Sequence, residues 1–468
     1  MNKMRFDILR IPLLGHLLTW KHSRTFFQTI LFVLAAAIII DGLLGSPMAP
    51  RNVATVSAWV HYRGLVVLAL LLFGNLFCAA CPFVLPRKLA KWLGNPTRRW
   101  PKALRNKWLA LAGLVGIIFT YELYDLWASP WWTAWLAVAY FASAFVLEAF
   151  FTRSSFCMYV CPLGTFNFLY SAVSPTQITS RNLNTCRDCE GHECINGTEA
   201  QDGCQLELFV PTIESNMNCT LCLDCVRACP YDNVALTVRP PGDELFRQTW
   251  RNRLDLAWLA IIAAFLGLIN AFGMVPPVYV LEAHLAELLN TNSEAIVLGL
   301  IYVVGIFGPL GLAYGAAWLG RLMTGNGTKP LNRLVMRYAY SFVPMGFAVW
   351  FAHYLFHFWT GGMTIIPAFQ TFFYRTLNLA IFGRPNWRLA SLYVPTVETI
   401  QLVQTIVTYG GLLLAISMAF VAATKANRKR SHALLEAMPW VALLILLAVA
   451  SGTTFLLPME MRGSAIGG

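Results

Sequence analysis

The sequence predicts a mainly α-helical, polytopic membrane protein of about nine spans, with a polar, cysteine-bearing domain inserted after the fourth. Three observations predict it. Of 468 residues, 57% are hydrophobic and only 12% are charged, far more apolar matter than one soluble core could use. Long apolar runs recur near 26–45, 60–80, 108–127, 131–151, 254–274, 295–319, 338–359, 401–423 and 438–457, each long enough to cross a bilayer. Lys and Arg are also unevenly shared between loops. Residues 1–25, 83–107, 321–337 and 425–430 together hold 21 of them, against six outside these stretches and residues 153–253.

Basic loops stay on the cytoplasmic side. The bias therefore puts the amino terminus and the inserted domain in the cytoplasm and the carboxyl terminus outside. A removable signal peptide is not expected, because the first apolar run follows 25 polar and basic residues and is long enough to span. The net charge of +12 reflects this topology and the attraction of a basic lead-in to anionic headgroups, so the partner is the lipid bilayer and not nucleic acid.

The chain divides by composition into three domains. Residues 1–152 form an N-terminal membrane domain of two helical hairpins. Residues 153–250 are polar and rich in Asn, Asp, Thr and Pro, and residues 251–468 form a membrane domain of about five spans.

The polar domain carries Cys219-x2-Cys222-x2-Cys225-x3-Cys229-Pro230. Three thiolates two residues apart, then a fourth at a Cys-Pro step, suit a [4Fe–4S] cube. In bacterial two-cluster ferredoxins the cysteine before proline serves the other cluster. Upstream, Cys186-x2-Cys189-x4-Cys194 and Cys204 supply three close ligands and one displaced. The reading is crossed: Cys186, Cys189, Cys194 and Cys229 around one cluster, and Cys219, Cys222, Cys225 and Cys204 around a second. The upstream half departs from the usual run, because residues 195–202 intervene and Gln205 replaces the proline. Zinc also takes four such ligands, and disulfides are disfavoured for thiols held in a reducing cytoplasm. Val234–Val238 alternates as a strand and Pro240-Pro241-Gly242 ends it.

Each N-terminal hairpin ends in a Cys-Pro motif, Phe77-Cys78-x2-Cys81-Pro82 and Phe156-Cys157-x3-Cys161-Pro162. Residues three or four apart share a helix face, so each pair of thiols points one way. The four could converge as a third cluster or metal site, or as a dithiol centre. The alternative is four small buried side chains that only pack. Glu148 lies a turn inside this mouth, as a proton relay or a snorkelling carboxylate. In the last domain His353 and His357 lie four apart among Trp350, Tyr354, Phe358 and Trp359, with His61 expected at the same face. They read either as part of an aromatic interface belt or as a metal, haem or quinone site. An i, i+4 pair cannot clasp both faces of one haem.

Two Cys-Pro motifs at hairpin ends, followed by a two-cluster ferredoxin segment, resemble the polyferredoxin-type membrane proteins of the NapH, NosR and CcoG/FixG kind over about residues 60–250. The resemblance implies electron transfer in a bacterial inner membrane. It does not extend to the large flavin or extracytoplasmic domains of some members, so their partners are not carried over. The sequence has no nucleotide-binding fold, phosphate loop or acid–base constellation, which suits an electron-transfer component of an oxidoreductase system better than an enzyme with its own substrate chemistry. Electrons would pass between the clusters and a quinone, a redox protein partner or an outer-face acceptor. The alternative function is an assembly or maintenance factor that reduces a metal or cofactor for a respiratory enzyme.

Overall fold

The computed structural model describes residues 6–250, 252–325 and 329–459. Residues 1–5 of the basic lead-in and the carboxyl-terminal end, with its expected outward placement, lie outside the described residues. The protein is mainly helical, with one two-stranded sheet among the described residues. Among the described residues seven helices are long and apolar enough to cross a membrane: Ser23–Leu44, Val53–Leu72, Pro130–Phe150, Leu254–Phe272, Glu294–Met323, Val397–Ala426 and Arg430–Leu456. The protein is therefore a multi-pass membrane protein. The two other expected spans are also helices. Trp108–Leu123 is apolar but has 16 residues, and Phe342–Gly361 carries two histidines among its 20, which lowers its mean hydropathy.

Several boundaries differ from expectation. The second span begins at Val53 and ends at Leu72, not at Ala80. Gly74 breaks it at φ +94°, where an added Cβ would meet Ser174 and Thr176 oxygens at 2.8 and 2.9 Å. The chain restarts as the short turn Leu76–Ala79. The expected outer loop after the fifth span is itself a helix, Pro277–Leu288.

The chain packs as two compact units, 1–37 with 68–110 and 136–250, and 38–67 with 111–135 and 251–468. In the first unit β1 (Thr176–Ser180) pairs antiparallel with β2 (Val234–Val238), with Ile178 opposite Leu236. Ile178, Val210, Leu223, Val226, Val234 and Leu236 close a small core around Cys219 and Cys225. Beneath it Arg239 and Glu244, almost fully buried, pair at 2.7 Å. The same carboxylate accepts from Trp250 Nε1, Ser215 Oγ and the Asn216 amide, so this buried charge is fully satisfied.

The second unit is built of closely packed helices. Trp350 on Phe342–Gly361 donates its indole N–H to the Ala263 carbonyl at 2.8 Å. Gly267, one turn on from Ala263, leaves the room: a Cβ there would lie 3.1 Å from the indole. Small residues bring membrane helices this close without a hydrophobic drive. Nearer its basic end, Glu436 accepts from Lys329 at 3.0 Å, Arg337 at 2.9 Å and Tyr338 at 3.1 Å.

Candidate cysteine and histidine sites

All twelve cysteines carry free thiols, and the first unit brings them into three neighbourhoods. Cys186 sits on the turn Leu183–Arg187 and Cys194 on Glu193–Asn196. Burial raises the Cys186 thiol above its ordinary value, and the nearby charges of Cys229 and Cys189 add to this. Cys194 is raised likewise by burial and by Cys186, Cys229 and Cys189. Asn233 donates its side-chain N–H to Cys186 Sγ at 3.1 Å and its backbone N–H to Cys229 Sγ at 3.4 Å.

The second neighbourhood is deeper. Leu221 and Leu223 adopt positive φ, 52° and 60°, which winds the chain tightly between Cys219, Cys222 and Cys225 before the helical turn Asp224–Ala228 begins. Bulky residues avoid this conformation, so the winding stores strain where the thiols gather. Burial pushes Cys219 up to about 12, with Cys222 and Cys204 as charged neighbours. It pushes Cys222 up to about 11 beside Asp224 and Cys225 well above the usual thiol range beside Cys222, Cys219 and Cys204. Cys204 itself accepts the Leu208 N–H at 3.4 Å and the Leu206 N–H.

The Cys-Pro cysteines form the third group, though not as pairs on regular helix faces. Cys78 lies in the turn Leu76–Ala79 and Cys81 just beyond it. Cys157 lies in a widened turn, and Cys161 caps the buried helix Pro162–Tyr170 by accepting the Gly164 N–H at 3.2 Å. Each proline starts a new turn, because a residue before proline leaves the α conformation. Burial and the charges of Cys78 and Cys161 raise Cys81, which accepts the Phe83 and Val84 amides. Cys157 is raised by burial and by Cys161, Cys81, Glu148 and Cys78. Asn167 donates to Cys78 Sγ at 3.4 Å. Glu148 does not snorkel: it is buried and pairs with Arg87 at 2.9 Å. A cavity touches all four cysteines and also Arg24, Cys204 and Cys222. Among the described residues, no three thiol, imidazole or carboxylate groups are arranged to hold a single metal ion.

In the second unit His353 and His357 are buried, with ring centroids 4.9 Å apart. Both His353 nitrogens and His357 Nε2 have no hydrogen-bond partner. The Arg63 guanidinium is near both rings. It lies 4.8, 4.1 and 5.0 Å from the ring centroids of Trp59, Tyr121 and Tyr354, and its Nη2 also lacks a partner. Gln404 donates to the Ala352 carbonyl at 3.1 Å and leaves its own buried oxygen unpartnered. Of the aromatic residues around the two histidines, Trp350 and Tyr354 are buried, whereas Phe358 and Trp359 are half-buried. His61 lies against the end of the same helix, its ring edge-on to Phe358 at 5.8 Å. Its Nδ1 and Nε2 lie 3.0 and 2.7 Å from the Val56 and Gly362 carbonyls, so neither nitrogen is free to ligate. Sequence reasoning missed Arg63, although a charge inside the apolar run 60–80 was the available signal.

No family model matches the chain, and no solved structure matches it. A stretch of 85 residues is 32% identical to a protein of Escherichia coli (strain K12) named "Putative electron transport protein YccM", covering 18% of this chain and 22% of that protein. The match thus spans about a fifth of the relative's length.

Proposed function

We propose that this chain is an iron–sulfur electron carrier of a bacterial inner membrane, with the amino terminus and cysteine-bearing domain cytoplasmic and the carboxyl terminus outside. Cys186, Cys189, Cys194 and Cys229 would hold one [4Fe–4S] cluster, and Cys204, Cys219, Cys222 and Cys225 a second. Cys78, Cys81, Cys157 and Cys161 would hold a third redox centre. Such clusters supply one-electron chemistry when bound. The observation that carries the reading is the pattern of sulfur environments: four thiols in each neighbourhood, buried or half-buried, with amide N–H groups aimed at several of their sulfurs. Buried thiols of this kind remain protonated on their own, and a metal charge is what deprotonates them. Amide donors then orient and tune the thiolates.

The chain's membrane-side acceptor or donor is a quinone headgroup at His353, His357 and Arg63. Arg63 disfavours a metal cation beside the imidazoles. Haem would need a second axial ligand from another element, and His61 has no nitrogen to give. A quinone carbonyl suits donors that have no partner, and neutral imidazoles can pass protons. A redox protein partner exchanges electrons with the clusters at the cytoplasmic side.

Anaerobic purification followed by iron, sulfide and zinc analysis and an electron paramagnetic resonance titration tests the reading. Acid-labile sulfide with reducible cluster signals supports it. Stoichiometric zinc without sulfide refutes it.

A further inference from the structure

The cavity beside the Cys-Pro cysteines meets a single cation. Arg24 stands at the start of Ser23–Leu44, its side chain 14% exposed, and lines this cavity together with Cys81, Cys157 and Cys222. Its Nη1 donates to Asp224 and its Nη2 to Gln205 Oε1 at 3.4 Å, while its buried Nε has no partner. The charges of Cys222, Cys157 and Cys81 all act on it.

The local charge balance leaves part of that cation unspent. Asp224 is shared: its other oxygen accepts from Arg227 at 2.7 Å, and Arg227 is further held by the Leu18 and Cys222 carbonyls. Two guanidinium groups thus face one carboxylate. The other charges nearby are disposed differently. Glu148 is paired with Arg87, and Lys107 acts on Cys78 and Cys161 while donating to the Met158 carbonyl at 2.6 Å.

We infer that Arg24 is a positioning residue shared by two redox centres: a cation set between the Cys204/Cys219/Cys222/Cys225 group and the Cys78/Cys81/Cys157/Cys161 group that sets both potentials together. This rests on the proposed function. When one electron passes between the two centres, one gains a negative charge and the other loses it, and no proton need move. In surroundings of low dielectric a nearby cation stabilises each reduced state. Because the same cation serves both, the two potentials stay matched and the electron meets little uphill step between them.

The test is a potentiometric titration of the full-length, anaerobically prepared protein, followed by electron paramagnetic resonance, for wild type, Arg24→Gln, Arg24→Lys and Asp224→Asn. Cys186→Ser identifies the signal of the remaining centre. Arg24→Gln should move two midpoint potentials to more negative values and leave the centre identified through Cys186 where it was; Arg24→Lys should restore most of the shift. Asp224 keeps Arg227 in Arg24→Gln, so its charge is not left bare. If that variant nevertheless fails to assemble, Asp224→Asn should shift the Cys204/Cys219/Cys222/Cys225 centre the opposite way. Movement of one centre alone, of all three equally, or of none overturns the inference, as does a negative shift in Asp224→Asn. Wild-type protein without iron and sulfide would instead overturn the proposed function beneath it.

Discussion

Asn233 donates from its side chain to Cys186 Sγ at 3.1 Å, while its own backbone amide reaches Cys229 Sγ at 3.4 Å. One residue therefore ties together two cysteines that lie far apart in sequence, and the same side chain donates to the Asn182 carbonyl at 2.7 Å. Each N–H aimed at a thiolate sulfur favours the more negative state. Asn233→Leu should therefore lower the potential of the centre held by Cys186, Cys189, Cys194 and Cys229, and make it more prone to loss, with the other centres unmoved. A redox titration of the variant checks this, and an unchanged potential would remove Asn233 from the site.

Cys204 acts on the thiols of Cys219 and Cys225, but its backbone N–H also donates to the Cys194 carbonyl at 2.8 Å. The crossed reading predicts that Cys204→Ser and Cys222→Ser perturb the same spectrum. Intact protein should hold on the order of eight irons and eight sulfides, or about twelve with the third centre. Loss of the Cys186-linked signal in Cys204→Ser would reverse the assignment.

The Cys-Pro cysteines offer a sharper distinction. If Cys78, Cys81, Cys157 and Cys161 act as one centre, replacing any one by serine should give the same defect in electron transfer, about tenfold or more, because each loss opens the same site. If they only pack, the four variants should differ with burial and cost little, since serine and cysteine are close in size. Parallel turnover and thermal-stability measurements separate the two outcomes.

The cysteines were legible because ligand spacing is written in the chain itself, and strand β2 because Val234–Val238 alternates between two stop signals. Its partner Thr176–Ser180 was not, since a short polar-flanked segment becomes a strand only when another chain segment pairs with it. The helix break at Gly74 depends on Ser174 and Thr176 lying across from it, a contact between distant positions. Arg63 could not be read as part of a site because its aromatic surroundings, Trp59, Tyr121 and Tyr354, come together only on folding. His61 shows the reverse: its residue type suggested a ligand, and packing committed both nitrogens to carbonyls.

The buried histidines carry the last prediction. Under the proposed function a hydrocarbon core of about 30 Å would separate cytoplasmic clusters from any outer acceptor, so electrons that cross would need an intermediate within the membrane. His353 and His357 leave three ring nitrogens without partners beside the unpartnered Arg63 Nη2, in surroundings where an unmet polar group costs about 1–3 kcal/mol. A bound molecule that accepts from Arg63 and exchanges protons with the imidazoles would offset that cost; ordered water would offset it without taking electrons. The two differ in reconstituted vesicles. With the clusters reduced on one side, an impermeant acceptor on the other should be reduced in wild type when quinone is present. The rate should fall about tenfold or more in His353→Ala, His357→Ala and Arg63→Gln. His61→Ala should change stability more than rate, because its nitrogens are already engaged with Val56 and Gly362. Equal rates in all of these proteins would leave the histidines as hydrated packing, and no transfer even in wild type would confine the chemistry to the cytoplasmic face.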